Sequence, residues 1–156
     1  MKSKSRRRST RRRRSTAQRR RTAQRRRTSG RQQFDGRTRS VMIAIPHGAR
    51  SAAQKAYTLR KQYGFQGGTS TGWKRAHQLV SKNEISIQDL RYMHNWFVRH
   101  RYTSFPSYEA WKKAGSPVSD SYWHHKRGII AWLIWGGDAA YRWVTSDRVM
   151  RLLNKN

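Results

Sequence analysis

From residue 49 onward, apolar side chains return every three or four positions, the period of one helical face. Ala52, Ala53, Ala56, Leu59 and Tyr63 set out a first helix over 49–63, which Gly64 stops. The run Gly67-Gly68-Thr69-Ser70-Thr71 breaks the chain before a second helix over 72–82. Ser86-Ile87-Gln88-Asp89 has the form of a capping box. It opens a third helix to residue 101, with Leu90, Met93 and Phe97 on one face. A short helix over 107–114 is closed by Gly115, with Pro117 just beyond. The fifth, over 122–135, is apolar nearly all round from Ile129 and is the expected centre of the core. Gly136-Gly137 ends it, and Asp138 is placed to cap a last helix to residue 153. Residues 41–45 form a short extended lead-in stopped by Pro46. No alternation of period two lasts long enough for a sheet. The pattern therefore predicts an all-α fold, one compact domain of about five to six helices over 45–156, entered through a linker over 34–44.

Upstream the pattern disappears. The first 31 residues carry sixteen Lys or Arg, fourteen of them Arg, and no acid. The sequence Thr16-Ala17-Gln18-Arg19-Arg20-Arg21 recurs as Thr22-Ala23-Gln24-Arg25-Arg26-Arg27, and a third copy begins at Thr28. Nothing there can be buried and like charges repel, so residues 1–33 are expected to be a disordered arm. The planar guanidinium donates two hydrogen bonds to one phosphate, which suits a polyanion partner. Candidate nucleic-acid contacts are Arg6, Arg7, Arg8, Arg11, Arg12, Arg13, Arg14, Arg19, Arg20, Arg21, Arg25, Arg26 and Arg27. Arginine clusters spaced by small hydroxyl residues resemble protamine-like arms, which follow a phosphate backbone without reading bases. Phosphorylation of those hydroxyls by a basophilic kinase would loosen such an arm.

The whole 156-residue chain has a formal charge of +29 and a pI near 11.9. Residues 32–156 still carry twenty Lys or Arg against seven acids, so the helical part is basic in its own right. Lys74, Arg75, Lys126 and Arg127 join the candidate nucleic-acid contacts there. The Gly-rich run before the second helix reads either as an ordinary turn with a Ser/Thr cap or as an anion site on free helix N-terminal amides, with Lys74 and Arg75 beside it. Arg99-His100-Arg101, at the end of the third helix, is a second phosphate candidate, although the helix dipole alone also favours cations there. All seven tryptophans lie between Trp73 and Trp143. Trp96, Trp132, Trp135 and Trp143 fall within helical apolar patterns and belong to the expected core. Trp73, Trp111 and Trp123 neighbour basic residues, where base stacking is conceivable.

The absence of cysteine excludes disulfides, thiolate metal sites and cysteine nucleophiles. No secretory signal follows the N-terminal charges, and the longest apolar run, 129–135, falls short of the roughly 20 residues that span a bilayer. A soluble protein without a membrane partner is expected. The acids are scattered among helix starts, and His94 and His100, six apart, face different sides of one helix. His124-His125 are adjacent and cannot share a site from a helix. No catalytic residue, metal site, cofactor or small-molecule substrate is expected, and no enzyme.

Several strings together resemble a known family: Ile45-Pro46, Ala52-Ala53, Tyr63-Gly64, Gly67-Gly68-Thr69, Arg75-Ala76, Ile85-Ser86 and Arg91-Tyr92-Met93. Phe97, Arg99-His100 and the run from Arg127 through Trp135-Gly136-Gly137-Asp138 to Trp143 continue the likeness. They resemble an uncharacterised all-helical domain family of tailed bacteriophages and large DNA viruses of algae, over residues 45–143. Trp-Gly-Gly-Asp is the most specific part, and the arginine arm lies outside it. The resemblance implies a viral protein with a compact helical domain, located in the virion interior and in host cytoplasm or nucleus during infection. Joined to the arm, it leads to the expectation of a virion-associated protein that neutralises and condenses packaged DNA non-specifically. The alternative is a minor capsid or assembly protein, touching capsid proteins, whose arm lines the inner shell. A nucleic-acid-modifying enzyme is the third reading.

Overall fold

The structure, a computed structural model, describes residues 41–155. The expected disorder of the arm and the arm's candidate contacts, Arg6 to Arg27, lie outside those residues. Among the described residues the chain runs β1 (Met42–Ala44), α1 (His47–Tyr63), α2 (Ser70–Ser81), β2 (Glu84–Ser86), α3 (Ile87–His100), α4 (Phe105–Lys113), α5 (Ser121–His124), α6 (Arg127–Ile134), α7 (Gly137–Val144) and α8 (Asp147–Lys155).

The first three helices form where periodicity and caps place them. In α1 the residues Ala49, Ala53, Ala56 and Leu59 are buried, and Gly64 closes the helix in the left-handed region at φ 75°. The hydroxyl of Thr69 accepts from the Gly72 amide and starts α2. The Ser86 hydroxyl accepts from the Asp89 amide and starts α3, as the capping-box pattern predicts. Arg50 of α1 reaches across to donate to the carbonyl of Lys82 at 2.6 Å and to Asn83 Oδ1 at 3.1 Å. A cation thereby satisfies the negative end of α2.

Three expectations are corrected. The fold is predominantly helical but carries a small sheet: β1 and β2 pair antiparallel, with Ile43 opposite Ile85. Each strand has only three residues, too few for alternation to show. What fixes the pair is the wholly buried Ile85 and the bond from the Ile45 amide to the Asn83 carbonyl. The strand β1 falls within the stretch read as linker.

The expected fifth helix, 122–135, is two helices. The carbonyl of His124 is taken by the Gln66 amide, and the His124 ring bonds the Val118 carbonyl at 2.7 Å. These tertiary bonds cut the helical ladder before Arg127.

The expected last helix is also split, and its cap is not Asp138. Thr145 and Ser146 turn their hydroxyls back onto the carbonyls of Tyr141 and Trp143, both at 2.7 Å. Ser146 then accepts from the Val149 amide to begin α8. At the other end, Gly136 stands as the N-cap of α7 at φ 102°. A side chain there would be strained and would strike Ala140.

Helix α6 is the central element, packed on α1, α2, α4 and α7, while α8 lies on α3 and α7. Ile129, Ile130, Trp132, Leu133 and Ile134 of α6 are buried. Trp132 is the aromatic hub, with ring centroids of Phe97 and Phe105 at 4.8 and 4.9 Å. Trp96 and Trp135 are buried with it, and Trp143 packs half-buried on the edge. No described helix is long and apolar enough to cross a membrane.

Candidate nucleic-acid interface

An open groove of about 750 Å³ lies where three helix ends meet: the start of α2, the last turns of α3 and the start of α6. Its apolar floor is built from Trp96, Ala131, Ile134 and Trp135. The Trp96 and Trp135 rings stack at 4.9 Å and 11°. The His100 ring stacks on Trp96 at 4.5 Å, and the Arg75 guanidinium lies 5.6 Å from the Trp135 centroid. Gly67 lets the rim close down, because a Cβ there would meet the Arg127 carbonyl at 2.6 Å.

Charge in the groove has one sign. Arg75, Arg99 and Arg127 line it alongside His100, and no carboxylate does. Arg127 is exposed, and its guanidinium has no acceptor among the described residues. Arg99 is exposed and donates through Nε to its own helix, at the Asn95 carbonyl. Burial, with the positive charge of Arg99 beside it, pushes the His100 imidazole below its ordinary value. The ring is therefore neutral at neutral pH and serves as part of the stack. At the head of α2 the amides of Ser70 and Thr71 have no acceptor among the described residues, since Thr69 caps only Gly72.

The four candidate contacts of the helical domain separate. Arg127 opens the groove freely. Arg75 lines it, but its terminal nitrogens are spent on structure: its side chain is only 10% exposed and pairs with Asp89 at 3.0 Å. Arg75 also donates to Gln78, which in turn donates to Asp89 at 2.8 Å. Burial acts to raise the Asp89 carboxyl, yet the hydrogen bonds from Gln78, Arg75 and Ser86 and the Arg75 charge hold it below the ordinary carboxylate value. Lys74, exposed on α2, is not part of the groove wall. Neither is Lys126, whose ammonium lies 4.6 Å from the Tyr122 ring.

Of the two further phosphate candidates, the 67–71 run and Arg99-His100-Arg101, the first is in contrast brought together with Arg99 and His100 in this groove, while Arg101 lies outside it, 5.9 Å from the Tyr141 ring. Sequence reasoning did not single out Tyr92, which lines the same groove at 54% exposure. Its signal was available: on a helix whose buried face carries Leu90, Met93 and Phe97, residue 92 points elsewhere.

Base stacking on Trp111 is corrected outright. The ring is wholly buried and its indole donates to the Pro117 carbonyl at 2.8 Å. Trp73 is half-buried between Tyr57 and the Arg60 guanidinium, at 5.1 and 4.5 Å, and Trp123 packs against the core. Among the described residues no three His, Asp or Glu side chains gather as a metal site. No family model, no curated protein and no solved structure matches this chain.

Proposed function

We propose that the chain is a non-sequence-specific nucleic-acid-binding protein that neutralises and condenses packaged DNA inside a virion, acting by binding and not by catalysis. The observation that carries the reading is charge that the protein itself leaves uncompensated. Sixteen cations stand in the first 31 residues without an acid. In the described domain only Arg75 and Lys113 are ion-paired, with Asp89 and Glu109. A chain of this balance neutralises phosphates and releases their counterions, a force indifferent to base sequence. The groove adds a cationic surface without a carboxylate on the helical domain. The viral setting rests on the resemblance carried by the Trp-Gly-Gly-Asp segment and its neighbours.

Two measurements test the reading. In competition mobility shifts, unrelated duplex sequences should compete within about threefold of one another, because phosphate contacts carry no sequence information. Proteomics of purified particles should recover the chain. Discrimination beyond about a hundredfold between sequences, or absence from particles, contradicts it.

A further inference from the structure

We propose that the groove is a nucleotide site: it holds one unstacked nucleotide of a single strand, phosphate on the head of α2 and Arg127, base against Tyr92. The inference rests on the nucleic-acid reading above and gives the helical domain a task separate from that of the arm.

The phosphate end is argued from unspent donors. Helix α2 has twelve residues and a full set of aligned peptides, and its Ser70 and Thr71 amides lack acceptors among the described residues. Thr71 and Arg75, four apart, lie on the same helical face. Arg75 Nε is the one buried side-chain polar atom without a partner among the described residues. Its two terminal nitrogens are held by Gln78 and Asp89, so the guanidinium cannot turn to find one. A buried donor left unmade costs stability, and it belongs to a residue that lines the groove. Arg127 supplies the mobile charge across the rim.

The base end is argued from the surface beside it. A site for a bare anion needs no apolar floor, yet this groove has Trp96, Ile134 and Trp135 beneath it and the exposed Tyr92 ring in its wall. Base-on-aromatic stacking is sequence-tolerant, which agrees with binding that does not read bases. The volume, about 750 Å³, is that of a pocket for one small molecule. It cannot seat a duplex, whose bases are already stacked and paired. The chemistry is a phosphoryl group joined to a planar base.

The full chain is the material for the test, because the arm supplies an internal control. Amide and indole resonances are followed by ¹H–¹⁵N NMR during titration with inorganic phosphate, then with thymidine 5′-monophosphate. The mononucleotide should shift the Ser70, Thr71 and Trp135 signals at lower concentration than phosphate does. Arg127→Glu and Tyr92→Ala should each weaken that response about tenfold, with the spectra otherwise folded and the arm signals responding as before. Arg127→Gln should give an intermediate loss. Equal response to phosphate and nucleotide, with Tyr92→Ala silent, overturns the base half of the proposal. Arm signals that move while the groove stays still overturn it entirely and leave the arm reading standing. If neither moves, the groove proposal is likewise overturned, and the duplex mobility shifts above decide the nucleic-acid reading separately.

Discussion

Asp138 shows how much one side chain of the Trp-Gly-Gly-Asp segment does. It lies in the first turn of α7, where a negative charge meets the positive helix end, and accepts the Trp132 indole N–H at 3.0 Å. Trp132 is 1% exposed, so without Asp138 its N–H is left buried and unpaired. Asp138→Ala should therefore cost about 1–3 kcal/mol in denaturant unfolding, and Asp138→Asn, which keeps an acceptor, distinctly less. Tyr108 is the neighbouring reporter: burial first, and then the Asp138 charge, raise its phenol to about 12. Ultraviolet titration should show this phenol ionising well above the ordinary tyrosine value of about 10, with Asp138→Asn narrowing the gap.

Asp89 gives the acid side of stability. Its folded value lies below the ordinary 3.8, so its contribution is complete above that value and drains away as pH falls through the lower, folded one. Urea unfolding from pH 5 downward should show this loss, and Asp89→Asn should be less stable at neutral pH with a flatter acid limb. A steeper acid limb in Asp89→Asn contradicts the pairing. At this scale the sequence was half legible. The cap at Ser86 could be read because its partner is three residues away, whereas the Trp132–Asp138 bond spans a turn whose shape depends on Gly136.

Among the elements, legibility follows the origin of the stabilising contacts. Helices α1 to α3 carry their own faces and stops, and their positions were readable within a few residues. The α5–α6 break depends on Gln66, far away in sequence, donating to His124, and no local pattern carries that information. The three-residue strands have the same cause: a buried Ile85 and a cross-chain bond, not alternation. The groove was legible only as fragments. The 67–71 run and Arg99-His100-Arg101 each suggested phosphate, but the meeting of the first with Arg99 and His100 depends on α3 packing beside the end of α6, where Trp96 stacks on Trp135. Helix α8 is the most exposed to loss, since it is held on α3 through Val149, Leu153 and the bond from Arg91 to the Leu153 carbonyl at 2.8 Å. Leu153→Ala should cost about 2–3 kcal/mol, at the low end for a buried leucine because the site is at the surface. Hydrogen exchange should show α8 opening before α6; uniform protection across both contradicts that order.

Over the whole molecule, the proposed function gives two kinds of positive charge different work. The arm's is dense and repetitive in sequence, and it suits a backbone of phosphates met in any register. The domain's is sparse and placed, with Arg99 and Arg127 on the rim of a groove whose floor is apolar. The described residues, 41–155, form a compact unit of their own, so the two contributions can be separated by removing residues 1–33. The most direct measurement is the salt dependence of duplex DNA affinity for the full chain and for that deletion. If the arm's sixteen cations engage phosphates, log K should fall against log salt with a slope as steep as about −14, and the deletion should cut the slope to about half or less. An affinity and slope left unchanged by the deletion contradict the account.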